Sequence, residues 1–455
     1  MKLIAIVLVL AVPARAATST FQALGKGFKA PVVVAQGFDA QVIFSNLTAP
    51  RGIAFDANQN LLVVERGFGI TAFTRVSSPS AGWRRTVVIE NPKLTQGIQV
   101  DGRNLYVSSG DSILVYEYDI ATTSVDATHP PYTFVGGLPA NGPVNTHTLQ
   151  LETDLTGRTV AVLVAVGPSV NIDPLARDPN SGRSTIRRFP IPLREAPLYD
   201  PVPFDFSEGQ VLAYGLRNPT GFTFHSGWNT FTAGTKNLFV VDNGPELDNV
   251  PGLDAAFLSE NPADELQQIQ YTVGPDSEIP SPQFYGFPDC FTIWNPAADE
   301  LGVRQYLGTK KGAQFSAQLT PERDDAWCRN KKNNVAPVLP FQAHTSPLDI
   351  KFFTPSLFNS NSSFPATYGG DAFVSFHGSL GQPLPSGYGV VRVPFIHGLT
   401  PPNVDYSFVI QAMNLTTCPG DCIRPVGLAF GEDGKLYVSS DNSGELFVLQ
   451  RKIAT

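Results

Sequence analysis

The chain has 455 residues, of which 42% are hydrophobic and only 16% charged, with 40 Gly, 39 Pro and 31 Phe. That is enough to bury a large core, and it favours many turns over long helices. A formal net charge of -8 argues against a nucleic-acid binder, which needs a basic face.

Residues 1–16 read as a secretory signal: Lys2 supplies the basic start, Leu3 to Val12 the apolar stretch, and Ala14-Arg15-Ala16 a small-residue cleavage site. The apolar run is too short to cross a bilayer, and no later segment approaches the ~20 apolar residues a helical span needs. The predicted location is extracellular. Sequons at Asn46, Asn361 and Asn414 fit that location as glycosylation sites. In an oxidising compartment the four cysteines should pair. Of the possible pairings, Cys290–Cys328 with Cys418–Cys422 is expected, the second closing a CPGDC turn.

From residue 17 onward one phrase recurs: a short apolar strand opening near Gly, a polar turn, then a second apolar run ending in small or acidic residues. Its copies are Gly52 to Glu65, Gly97 to Ser109, His147 to Gly167, Gly221 to Asp242, Leu348 to Phe376 and Gly427 to Ser440. Each copy would supply two strands of a four-stranded blade, so the pattern predicts an all-β, six-bladed β-propeller in a single domain over 17–455. Val32 to Phe44 is expected to complete the blade of the last copy and close the ring. Two stretches break the rhythm. Residues 171–205 read as a long surface loop, and 247–334 as a long insertion. The acidic residues Asp254, Asp264 and Glu265 of the insertion read as solvated, with a second, structural Ca²⁺ as the alternative.

Inner strands of a propeller end at the central channel, so polar residues beside each copy should converge there. In chain order they are Glu65-Arg66, Gln96, Asn145 and His147, Arg217-Asn218, Gly244-Pro245, His344, His377 and Arg424. His147, as a neutral imidazole, suits a general base. The Arg217 fork can hold a carboxylate or quinone oxygen through two bonds. The Gly244-Pro245 turn can present consecutive carbonyls to Ca²⁺. Arg66, Arg217 and Arg424 make a cationic ring inside an acidic chain, which implies a polyanionic ligand. No GxSxG, P-loop, HExxH, EF-hand loop or GxGxxG fingerprint is present.

The strings VERGFG, LTQG, NTHTLQ, YGLRNPTGF, VDNGPE, YGFP, FVSFHGS and RPVGLAF span nearly all of the chain after residue 16. In them the protein resembles the soluble quinoprotein glucose and sorbosone dehydrogenases, and most of all the fungal secreted pyranose dehydrogenases that use pyrroloquinoline quinone (PQQ). YGLRNPTGF followed by NGPE is the most specific part of the match. The resemblance implies PQQ over the channel, with Ca²⁺ held by the carbonyls of Gly244 and Pro245. It implies His147 as base, Arg217 and Asn218 on the quinone, Gln96 near the substrate, and Arg66, His344, His377 and Arg424 around the cofactor. His377 stands where bacterial glucose enzymes have lysine, and Thr146 where they have aspartate, departures that point to the fungal branch. The implied reaction is oxidation of a sugar or polyol by hydride transfer to PQQ, with His147 taking the hydroxyl proton. Electrons are expected to leave to a diffusible acceptor, such as a cytochrome or copper-oxidase-type enzyme, because the signal runs straight into the propeller.

Two rivals stand beside that reading. A Ca²⁺-dependent propeller lactonase would place side chains on the metal, with Asn145, Asn218, Asp242 and Glu65 as its donors. A non-catalytic propeller binding carbohydrate or protein would keep the fold and lose the cofactor grip.

Overall fold

The computed structural model describes residues 21–453 apart from 77–81, 127, 141, 143–145, 192–201, 226–234, 249, 251, 273–280, 302–303, 356–359, 383–384 and 397–404. The signal segment and Asn145 lie outside the described residues. Six antiparallel sheets form the blades of a β-propeller. The first is built from Pro50–Phe55, Leu61–Glu65, Gly69–Arg75 and Trp83–Glu90 in sequence order. The inner two strands of every blade coincide with the repeated phrase.

The apolar patterning explains where the core sits. Second strands such as Leu61–Glu65 and Thr159–Val166 are buried along most of their length, because each lies between neighbouring blades. Each large core cluster accordingly joins two blades. Leu62 and Val64 of the first pack with Leu105 and Val107 of the second, and Leu446 of the last packs with Val63 of the first. Burial at about 25 cal/mol per Å² of apolar surface therefore accrues only when blades stack side by side.

The glycine that opens most copies has a steric cause. A Cβ at Gly427 would come within 2.5 Å of the Arg51 carbonyl, and one at Gly97 within 2.8 Å of the His147 carbonyl. Inner strands of adjacent blades approach too closely at the axis for any side chain there. A serine on the second strand then latches blade to blade. Ser439 Oγ accepts from Gly427 N at 2.9 Å and donates to the Arg51 carbonyl of the next blade at 2.5 Å. Ser375 repeats the arrangement with Asp349 N and the Val426 carbonyl.

Ring closure differs from the expectation. Only Phe38–Phe44 pairs with the last strand, Glu445–Arg451. Val32–Ala35 instead adds to Ser407–Ala412 of the fifth blade. Gly37, at φ 85°, turns the chain between the two strands, so the segment ties the fifth blade to the sixth.

The two stretches read as loop and insertion also need correction. Residues 171–205 contain Thr185–Pro190, the third strand of blade three, and 247–334 contain Asp264–Thr272, the third strand of blade four. The first looks polar because it carries two buried arginines paired inside the protein. Arg187 donates to the carbonyls of Pro179 and Ser207, and Arg188 pairs with the buried Glu152. The remainder of the second stretch has a small core of its own around Phe257, Phe291, Tyr306 and Phe315. Both expected disulfides are present, Cys290–Cys328 and Cys418–Cys422.

Candidate active site

The residue just before each repeat glycine faces the channel mouth. Arg51, Gln96 and Thr220 all hold that position. Arg51 Nη2 donates to Gln96 Oε1 at 2.5 Å, and Gln96 Nε2 donates to the Thr220 carbonyl at 3.3 Å. Arg51 Nη1 pairs with Asp441 at 2.6 Å. Asp441 also accepts from His377 Nε2 at 2.9 Å, and His377 Nδ1 accepts from Arg424 Nη2 at 2.8 Å. Both ring nitrogens of His377 are therefore engaged, and burial holds it neutral with a pKa lowered to about 4. Burial also lowers the Arg51 pKa, against the pull of Asp441 and with the repulsion of Arg66 and Arg424.

Across the channel, the Arg217-Asn218 backbone is fixed by Asp242, which accepts from both amides at 2.9 and 2.7 Å. Burial raises the Asp242 pKa well above the carboxylate range, with Glu265 adding to the rise. The Arg217 guanidinium reaches Asn171 Oδ1 at 3.0 Å and leaves its Nε buried without a partner. Gly244 N donates to Asp264 Oδ1 at 2.8 Å. The carbonyl oxygens of Gly244 and Pro245 accept no hydrogen bond from any described residue. His344 donates through Nε2 to the Ser259 carbonyl and faces Glu246 Oε1 through Nδ1 at 3.2 Å. Burial opposes its charge, but Glu246 outweighs burial and the His344 pKa rises.

His147 sits at φ 40° at the start of the third copy and is 1% exposed. Its Nε2 donates to the Gly110 carbonyl at 3.2 Å, while Nδ1 is buried with no partner. Burial lowers its pKa to about 4, outweighing the Gly110 and Ala165 carbonyls that favour its charge, so the ring is neutral over the physiological range.

The expected residues thus fall into two groups on one ring. Gln96, His377 and Arg424 are joined by hydrogen bonds, with Arg66 close enough to repel Arg51. Arg217, Asn218, Gly244, Pro245 and His344 gather around the acidic turn. Several residues take other roles. Glu65 is a structural carboxylate, bonded to Arg85, Thr71 and Thr48 N. Asp264 is buried and Glu265 half-buried rather than solvated, and Asp254 caps the helix Ala255–Ser259. Asn46, Asn361 and Asn414 are all exposed.

Sequence reasoning missed Arg51, Asn171, Asp264 and Asp441. Arg51 was within reach, since Pro50-Arg51-Gly52, Pro219-Thr220-Gly221 and Pro425-Val426-Gly427 align once the Pro-x-Gly frame is seen. Asn171 and Asp441 lie outside the repeated phrase and carry no such signal.

The TrAA12-like family profile matches residues 32–452. The chain belongs to the TrAA12-like family. It is 34% identical over 439 residues to a pyrroloquinoline quinone-dependent pyranose dehydrogenase of Coprinopsis cinerea, covering 92% of this chain and 54% of that protein. The chain therefore spans about half the length of that relative. It is also 34% identical to a pyrroloquinoline quinone-dependent sugar dehydrogenase of Hypocrea jecorina, covering 93% of this chain and 90% of that one. The calcium structure of a Trichoderma reesei AA12 enzyme superposes with a TM-score of 0.78 at 32% identity, over 94% of this chain and 99% of that one. Among TrAA12-like proteins the cofactor named is PQQ, and the residues here fit such a group. Arg51 Nε and Arg217 Nε are buried without a partner, and the Gly244 and Pro245 carbonyls accept no hydrogen bond from any described residue. A tricarboxylate needs such donors, and a hard cation needs such oxygens.

Proposed function

We propose that this protein is a secreted PQQ- and Ca²⁺-dependent dehydrogenase that oxidises a sugar or related polyol and passes electrons to a diffusible acceptor. The observation that carries it is the set of unspent polar groups on residues next to the repeat boundaries: Arg51 Nε, Arg217 Nε and the Gly244 and Pro245 carbonyls. Buried polar atoms without partners are rare, and several around one cleft point to a missing polar ligand.

When bound, PQQ supplies the hydride acceptor. Arg51, Arg66 and Arg424 would offer positive charge to its carboxylates, and Arg217 and Asn218 would hold its quinone end. The Gly244 and Pro245 carbonyls would hold Ca²⁺. His147, held neutral by burial, would take the proton of the substrate hydroxyl. Arg217 stabilises developing negative charge on the side opposite the base. Exposed sequons and two disulfides support export, and no helix among the described residues is long and apolar enough to cross a membrane.

The lactonase reading loses its two carboxylate donors to other partners. Both Asp242 oxygens are taken by backbone amides and Glu65 by Arg85 and Thr71. The deciding experiment is titration of metal-stripped protein with PQQ, with and without Ca²⁺, followed by absorbance and tryptophan quenching. Stoichiometric, Ca²⁺-dependent binding is expected. No binding in either condition would remove the dehydrogenase reading and favour a scaffold role.

A further inference from the structure

Three arginines crowd the channel between blades six and one, and among the described residues Asp441 is the carboxylate bonded within the group. Arg66 and Arg424 both repel Arg51. Asp441 is the anion they share, and it binds only one of them directly. Its Oδ2 takes Arg51 Nη1 at 2.6 Å, while its two oxygens receive His377 Nε2 at 2.9 and 3.1 Å. Because His377 gives its Nε2 proton to Asp441, its Nδ1 is left as an acceptor for Arg424 Nη2 at 2.8 Å. The Arg424 fork is further pinned by the carbonyls of His377 and Gly378 at 3.2 and 3.1 Å.

The bonds do not stop there. Arg51 passes to Gln96 on blade two, and Gln96 to Thr148 on blade three and the Thr220 carbonyl on blade four. With His377 on blade five and Arg424 and Asp441 on blade six, one hydrogen-bonded ring touches every blade. Asp441 is the link through which both arginine branches pass. The guanidinium of Arg66 has no hydrogen bond or ion pair with any described residue, and Arg51 Nε is buried without one.

We propose that Asp441 is a positioning residue: it fixes the tautomer of His377 and the angle of Arg51, and so aims the arginine cluster at an anionic ligand instead of neutralising it. The proposal rests on the reading that this cleft takes a polycarboxylate cofactor, and the two can fail separately.

Charge and positioning predict opposite signs for Asp441→Asn. Removing a negative charge from beside three arginines should tighten an anion if electrostatics alone governed binding. Loss of positioning should weaken it, because Asn cannot serve Arg51 and His377 at once and its amide faces a donor. The experiment titrates PQQ into wild-type, D441N and D441E protein across a salt series, with thermal midpoints recorded as a check on folding. In parallel, imidazole nitrogen NMR reads the His377 tautomer in cofactor-free protein. The expected result is PQQ affinity about 10-fold weaker in D441N, partly recovered in D441E, and a His377 signal that leaves the pure Nε2–H form in D441N. Equal or tighter PQQ binding by D441N overturns the proposal. If wild-type protein binds no PQQ, the functional reading falls, and the tautomer result decides the positioning role alone: an unchanged His377 tautomer in D441N overturns it.

Discussion

The side-chain amide of Asn171 brackets the backbone of Glu246, donating through Nδ2 to its carbonyl at 2.6 Å and accepting at Oδ1 from its amide at 3.1 Å. The same Oδ1 receives Arg217 Nη2 at 3.0 Å. One amide thereby sets the position of the acidic turn against the Arg217 fork. Replacing Asn171 by Ala removes all three bonds, each worth about 1 kcal/mol net when partly exposed. Ca²⁺ affinity of the PQQ-loaded protein should fall roughly 10-fold, measured by calcium titration. Unchanged affinity would show that the turn holds its shape without Asn171.

His147→Gln should keep PQQ binding while cutting turnover by about 10²-fold or more, the usual contribution of a general base. The pH profile gives a second check. The folded pKa of His147 is lowered to about 4 by burial, so the ring is in its proton-accepting form at any pH above that value. Turnover should therefore hold between pH 5 and 7 as far as this group is concerned, and lose its base only near pH 4. An acid limb centred near 6.5 that vanishes in H147Q would contradict this environment for His147.

Ser439 tests the latch between blades six and one. Its hydroxyl serves the buried amide of Gly427 and the carbonyl of Arg51. Ser439→Ala leaves both groups unsatisfied, at a cost of about 1–3 kcal/mol for each that finds no water. The denaturant midpoint should fall, and PQQ affinity should fall with it, because the Arg51 backbone is displaced. A stability loss alone, with wild-type PQQ affinity, would separate the latch from the cleft.

The repeated phrase made the six blades and their inner strands legible, because an apolar second strand survives in each copy, ending in Val-Ser-Ser in two and in an acidic residue in two others. Third strands were harder. Thr185–Pro190 and Asp264–Thr272 carry arginines, glutamines and acidic groups that are satisfied by partners far along the chain, such as Glu152 for Arg188. Local composition cannot reveal such partners. The same limit governs the site. His147, Arg217 and Gly244 stand next to repeat boundaries and could be found by position. Asp441 acts through Arg51 at the opposite end of the sequence, and Asn171 through Arg217 and Glu246, contacts made only when blades meet.

Asp264 offers the last test, through the cation. It is buried, and it holds Gly244 N at 2.8 Å while accepting from Ser346 N at 2.8 Å and Thr345 Oγ1 at 2.9 Å. It therefore couples the turn whose carbonyls face the cleft to the His344 segment, and its charge lies beneath those carbonyls. Ligand that binds only the folded state stabilises it by RT ln(1 + [L]/Kd), about 2.7 kcal/mol at 100 times Kd. Saturating Ca²⁺ should raise the thermal midpoint of PQQ-loaded protein by several degrees, and a chelator should reverse the shift. In Asp264→Asn the same Ca²⁺ concentration should give a clearly smaller shift, because one amide nitrogen replaces an oxygen that received Gly244, Ser346 or Thr345. A full shift in D264N would mean that the turn binds the cation without support from below. No shift in wild-type protein would remove Ca²⁺ from the Gly244-Pro245 turn altogether.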